Sequence, residues 1–240
     1  MLQPRNPSNF MPLGILFVTK SLAAEMIALL KTICEWLYTQ NPDLKLYINQ
    51  KIPDIPAYCE SWTPQMILAE YSKISLVVTI GGDGTVLYSS WLFQNSNVPP
   101  TMSFSFGSLG FLTDFDICSI RDVLMDWMSN PQKYTTTKRM RLTAHVSRYE
   151  PGALTMKHEK SNSWIGMPDE RLFAPMPDDM PSQENWVVLN DVVIDRGPSA
   201  YMTQLEVLVD NVDCTVVQAD GLLFATPTGS TAYSVKFNEF

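Results

Sequence analysis

Residues 81–85 (GGDGT) set a single carboxylate, Asp83, among three glycines, directly after the apolar, β-branched run 74–80 (ISLVVTI). That run reads as a buried strand. The segment 86–93 (VLYSSWLF) reads as a helix with Thr85 at its N-cap. Strand, glycine turn and helix place an open site at the carboxyl end of a sheet strand. Gly81, Gly82 and Gly84 carry no Cβ, so the backbone turns sharply and approaches a ligand closely. The first amides of the helix then face an anion such as a phosphate. A carboxylate beside phosphates is electrostatically costly unless it has a task. Two tasks fit Asp83: taking a proton from an attacking hydroxyl, or holding a metal that the phosphates share. Asp-Gly is also a hairpin signal, with 86–88 as the returning strand, so the neighbouring elements must decide.

Three polar stretches interrupt the apolar runs of the second half. Asn190-Asp191 joins an amide that donates and accepts to a carboxylate that only accepts, a pair able to read an adenine edge and ribose hydroxyls; an ordinary turn is the alternative. Ala219-Asp220-Gly221 lies between two strand-like runs and by itself favours a hairpin turn. Residues 226–234 (TPTGSTAYS) are the most distinctive. Thr228, Ser230 and Thr231 supply hydroxyls, and Ala232-Tyr233 adds an aromatic face, where the alternative is a polar loop.

The elements that would position these residues alternate β and α through about residue 130. Residues 14–19 read as the opening strand. A helix capped by Ser21 follows, with Leu22, Met26, Ile27, Leu30, Ile33 and Leu37 on one stripe. A strand over 44–48, a helix opened by Thr63-Pro64, and a strand over 101–106 continue the pattern. That last strand runs into a second glycine-bearing turn, 107–113, and Ser119 opens a helix to about Met128. Such alternation predicts a mostly parallel sheet covered on both faces. The texture then changes. Residues 139–147 alternate apolar and polar, 150–185 are polar and proline-rich and read as a long surface loop or insertion, and short strands crowd 186–225. This divides the chain into an α/β domain at 12–136 and a β-rich, antiparallel domain at 137–240.

Composition narrows the function. Of 240 residues, 45% are hydrophobic, enough for a substantial core, and the net charge is −8. An acidic chain without a Lys/Arg cluster is not expected to bind nucleic acid. Phosphate held by turn amides remains compatible with that charge. Cys34, Cys59, Cys118 and Cys214 lack zinc or CxxC spacing and read as reduced thiols. No apolar run approaches the ~18 residues of a membrane span, and the first residues resemble neither a signal nor a transit peptide. A cytoplasmic protein away from membranes is expected. There is no Walker A sequence, no GxGxxG after a strand and no hydrolase elbow.

Assembled, residues 81–88, 104–113, 190–199 and 220–234 resemble the NAD kinase family, in particular its eukaryotic, fungal-like branch. The resemblance implies a Rossmann-like α/β domain followed by a β-sandwich-like domain, with the active site between them. It also implies ATP-dependent phosphorylation of the 2′-hydroxyl of the adenosine ribose of NAD(H), with Mg²⁺ carried on the ATP phosphates. Asp83 would be the proton acceptor, and Phe111 would pack on adenine. Asn190, Asp191, Asp220, Thr228, Ser230, Thr231, Ala232 and Tyr233 would hold the dinucleotide, with the 81–85 turn at the phosphates. Asp191 stands where many members have Glu, and Ala219 replaces a glycine. The family continues with further strands where this sequence ends at Phe240, so the β-rich domain is expected to be incomplete and the chain truncated. A homo-oligomer is expected of a full-length form. Two other readings stand beside the kinase: a weak or inactive dinucleotide-binding fragment, and a lipid kinase of the GGDGT-bearing group.

Overall fold

The computed structural model describes residues 14–94, 97–146, 164–165, 185–198, 200–210 and 212–237. Through Lys138 the chain forms one compact unit, and from Arg139 a second.

In the first unit β1 (Gly14–Thr19), α1 (Ala24–Gln40), β2 (Lys45–Asn49), β3 (Cys59–Trp62) and α2 (Pro64–Glu70) follow in order. They precede β4 (Leu76–Gly81), α3 (Asp83–Trp91), β5 (Thr101–Ser105), β6 (Phe115–Asp116) and α4 (Ile120–Ser129). All six strands pair in parallel, in the order β3-β2-β1-β4-β5-β6. Chain progression reverses between β1 and β4, and sheets of this order bind ligands in the crevice outside the carboxyl ends of the strands at that reversal. Asp83 follows β4 after one intervening glycine, so the topology itself places it there.

Strand alternation splits the core in two. Ile15, Phe17, Leu46, Ile48, Val78, Ile80 and Phe104 pack with Leu30, Ile33 and Leu37 of α1 and Leu124 and Trp127 of α4. Leu16, Val18, Tyr47 and Val77 face the other way, onto Trp62, Ile67, Leu92 and Phe93. Each such side chain contributes about 1.5–3 kcal/mol on burial, which makes this sheet a stiff base for its loops. Thr63 caps α2 as expected, accepting the Met66 N–H at 3.1 Å. Cys34, Cys59 and Cys118 are free thiols.

Two helix starts differ from the sequence reading, and a third stands where expected without its cap bond. The N-cap of α1 is Ala23, not Ser21, and Leu22 lies before the helix and is exposed. The N-cap of α3 is Gly82, so Thr85 sits buried inside the first turn, its N–H on the Gly82 carbonyl at 2.9 Å. A Cβ on Gly81 would collide with the Thr85 hydroxyl, so this threonine fills the space the glycine leaves. Ser119 stands at the N-cap of α4, but its hydroxyl donates to the Asp116 carbonyl at 2.7 Å and caps nothing.

The second unit is antiparallel. Here β7 (Leu142–His145), β8 (Trp164–Ile165), β9 (Asn185–Val188) and β10 (Asp191–Asp195) are followed by β11 (Thr203–Val209), β12 (Val212–Ala219), β13 (Gly221–Ala225) and the short helix α5 (Tyr233–Phe237). Strand β7 pairs with β9, β11 with β12, and β10 lies between β13 and β8. The 150–185 loop is therefore interrupted: residues 164–165 form a strand and Asn185 opens β9, while the remainder lies outside the described residues. Ala219-Asp220-Gly221 is not a hairpin, because β12 and β13 belong to different sheets. Among the described residues no helix is long and apolar enough to cross a membrane.

Candidate functional site

In the first unit the site is built around one carboxylate. Asp83 opens α3, where the positive end of the helix dipole favours an anion. Its Oδ1 accepts the Leu112 N–H at 2.8 Å and its Oδ2 the Phe111 N–H at 3.0 Å. Both donors come from the glycine-bearing loop 107–113, whose first residue, Gly107, adopts φ +120°, a conformation reserved in practice for glycine. A Cβ on Gly110 would collide with Asp83 Oδ1. Gly110 is therefore glycine because the carboxylate lies against it. By contrast, a Cβ on Gly82 or Gly84 would meet nothing within 4 Å. These two glycines border open space, as a backbone meant for close approach by a ligand requires. Phe111 is 60% exposed although both sequence neighbours are better covered.

The second unit gathers its residues around Thr226. This buried side chain donates to the Leu189 carbonyl at 2.6 Å and accepts the Gly229 N–H at 3.1 Å, while its own N–H bonds the Asn190 carbonyl at 2.7 Å. The 226–231 loop is thereby tied to Asn190. The Asn190 Oδ1 atom is buried and has no hydrogen-bond partner among the described residues. A buried amide oxygen in that condition costs about 1–3 kcal/mol, a penalty that a ligand donor would remove. Beside it, burial pushes the Asp191 carboxyl up from its ordinary value of 3.8. Desolvation is the cause resolved there.

The hydroxyls of the 226–234 stretch are used differently from the sequence expectation. Ser230 donates to the Pro227 carbonyl at 2.7 Å, Thr231 to Thr228 at 3.3 Å and Ser234 to Gly229 at 2.9 Å. They close the loop on itself. Thr228 is buried and accepts from Arg139 at 3.4 Å, while Ala232 and Tyr233 are exposed at the start of α5. Asp220 pairs with Arg196 at 2.7 Å, and the Arg196 N–H bonds the Asp220 carbonyl at 3.0 Å. The sequence marks the 107–113 and 226–234 stretches but assigns no role to Thr113 or Thr226 within them, nor to Arg139 or Arg196. Thr226 had a signal, a lone hydroxyl residue directly after an apolar strand. The partners of Arg139 and Arg196 lie too far along the chain for a motif to show.

The charged state of Asp191 gives a stability test. A carboxyl whose folded value is raised binds more protons in the native state than in the unfolded chain, so stability falls as pH rises through the carboxylate range. Asp191→Asn is therefore expected to raise the melting temperature at pH 7. The gain should fade as pH drops through about 3.8, below which the carboxyl is protonated in both the folded and the unfolded chain. Thermal melts of the two proteins at both pH values check this.

Comparison with known proteins joins the two halves. The family model for the ATP-NAD kinase N-terminal domain matches residues 15–132, and that for the ATP-NAD kinase C-terminal domain matches 189–236. The chain belongs to the NAD kinase family. It is 35% identical to the NAD(+) kinase of Saccharomyces cerevisiae over 237 residues, covering 92% of this chain and 41% of the relative. It is also 35% identical over 228 residues to an uncharacterized kinase of Schizosaccharomyces pombe, covering 92% of this chain and 54% of that one. The chain thus spans about half the length of the curated relatives it matches. The crystal structure of yeast NADH kinase complexed with NADH is similar at a TM-score of 0.69 and 25% identity, covering 95% of this chain and 62% of that one. A parallel α/β unit followed by antiparallel strands is the fold this chain shares with that structure.

Proposed function

We propose that this protein transfers the γ-phosphoryl group of ATP to the 2′-hydroxyl of the adenosine ribose of NAD or NADH. The observation that carries this reading is the Asp83 carboxylate, held by two amides at the start of α3 and outside the carboxyl end of β4. Phosphoryl transfer asks the protein for positioning and charge stabilisation, and for one group to take the hydroxyl proton. Asp83 is that group. The open backbone at Gly82 and Gly84 and the first amides of α3 receive phosphate oxygens.

Adenine would stack on the exposed Phe111 ring. Asn190 and Asp191 would recognise the dinucleotide through the orphaned amide oxygen and the desolvated carboxylate. Thr228, Ser230, Thr231, Ala232, Tyr233 and Asp220 complete that surface, the hydroxyls chiefly by fixing its shape. Magnesium, carried on the ATP phosphates, supplies charge neutralisation at the transferred group. Asp83 offers a single carboxylate with both oxygens already accepting amide hydrogens, a donor set that fits a cation ligated by phosphates rather than by a protein cage.

The test incubates the protein with ATP and Mg²⁺ and either NAD or NADH, and reads NADP or NADPH. Product dependent on ATP is expected, and its absence with both acceptors would remove the reading. Asn190→Ala is expected to weaken NAD binding by roughly 1–3 kcal/mol, because a ligand group loses a desolvated partner. Calorimetry checks it, and unchanged affinity would leave Asn190 as a turn residue.

A further inference from the structure

The base must be aimed as well as present, and the loop that aims it has its own fastening. Thr113 is 3% exposed, and its Oγ1 accepts the Gly110 N–H at 2.6 Å. The two residues enclosed by that bond, Phe111 and Leu112, donate the amides that hold Asp83. Leu112 is buried at 5%, which anchors the turn from below, while Phe111 is exposed above it. Remove the Thr113 acceptor and Gly110 is free to rotate its peptide. The two amides then lose their common direction, and the carboxylate loses its rotamer.

We propose that Thr113 is a positioning residue for phosphoryl transfer. Its hydroxyl closes the 110–113 turn, and the turn aims the Asp83 carboxylate through the Phe111 and Leu112 amides. This rests on Asp83 being the proton acceptor. Because Phe111 carries both an exposed ring and an amide bonded to Asp83, whatever settles on that ring also steadies the base. Occupancy of the ring and alignment of the carboxylate are thus linked through one residue.

Thr113→Val keeps the shape and removes the acceptor. It is expected to lower kcat about 10- to 100-fold, the scale of a small misplacement of a reacting group, and to weaken the calorimetric Kd for NAD by a smaller factor, since Asn190 and Asp191 are unaltered. Thr113→Ser restores most of the turnover, and amide exchange at Phe111 and Leu112 quickens in the valine variant alone. In an Asp83→Asn background the valine substitution should add no further loss, since its effect runs through the missing carboxylate. Gly110→Ala is an independent arm: its methyl group displaces the same oxygen and should likewise lower kcat.

A Thr113→Val loss equal in both backgrounds, or unaltered kcat in Thr113→Val and Gly110→Ala, would overturn the proposal. Full turnover in Asp83→Asn itself would instead overturn the assignment of the base, so the two failures are distinguishable.

Discussion

Asp83→Asn is expected to lower turnover by about 10²- to 10⁴-fold, the range for losing a general base. The substitution preserves side-chain volume and leaves the sheet beneath untouched. It replaces a group with two acceptor oxygens by one with a single acceptor and an NH₂. One of the Phe111 and Leu112 amides then faces a donor in place of an oxygen, so the loop relaxes as the base disappears. Single-turnover measurements with saturating ATP and NAD isolate the chemical step from binding. Calorimetry with NAD alone should show a far smaller loss than turnover does, because Asn190, Asp191 and the 226–231 loop are unaltered while only the seat of Phe111 loosens. Asp83→Glu separates the two contributions. It keeps the carboxylate and lengthens the stem, and the tight seat against Gly110 cannot admit the extra methylene without moving the loop. Turnover near that of the parent in Asp83→Asn would refute the proposed role.

The comparison of sequence and structure turns on how local the determining interactions are. Strand β4, the glycine turn and α3 were legible because burial, backbone conformation and helix direction are all written within twenty consecutive residues. The parallel sheet followed from the β-α alternation, whose connections admit few topologies. Strand β3 was not legible. Cys59-Glu60-Ser61-Trp62 has no apolar run and exists as a strand because β2 offers a parallel edge and Trp62 donates to the Phe17 carbonyl at 3.0 Å. The N-cap of α3 was misplaced for a related reason. Thr85 has the right chemistry for a cap, but the space left by Gly81 draws its hydroxyl inward.

At the site, residue type indicated which stretches matter but not what each side chain does. Hydroxyls in 226–234 read equally well as ligand donors and as loop fasteners, and the difference lies in backbone carbonyls that no composition reveals. Thr113 and Thr226 lie in stretches the sequence marks, yet their roles do not show there, because both act through hydrogen bonds to the backbone. The Ala219-Asp220-Gly221 junction was misread since a hairpin and a strand that changes sheets share the same turn residues.

Gly229→Ala is expected to be the most destabilising of the glycine substitutions among the described residues of the second unit. An added Cβ would overlap the Asn190 carbonyl oxygen, and would lie 2.6 Å from its carbon and 2.9 Å from its Cα. All three atoms are backbone, so no flexible side chain can swing aside. Relief requires the 226–231 loop to draw away from Asn190. That movement breaks the Thr226 N–H bond to Asn190 and strains the Gly229 N–H bond to Thr226. Overpacking of this kind costs about 1–3 kcal/mol, and each hydrogen bond about 0.5–1.5 kcal/mol more. A total of roughly 2–6 kcal/mol follows from those two sources.

The same chemical change has the opposite sign at Gly84, which lies inside α3 with nothing within 4 Å of its would-be Cβ. There alanine should stabilise by about 0.5–1 kcal/mol through helix propensity. Denaturant unfolding followed by amide exchange reads each unit by its own residues, so the two effects are measured separately. Gly229→Ala should accelerate exchange along β10 and β13, whose ladder joins Asp191 to Ala225 just before the displaced loop. Protection of those amides equal to the parent's would mean that the loop and Asn190 are not packed as described. The proposed dinucleotide surface would then lose the shape on which Asn190 and Thr228 depend.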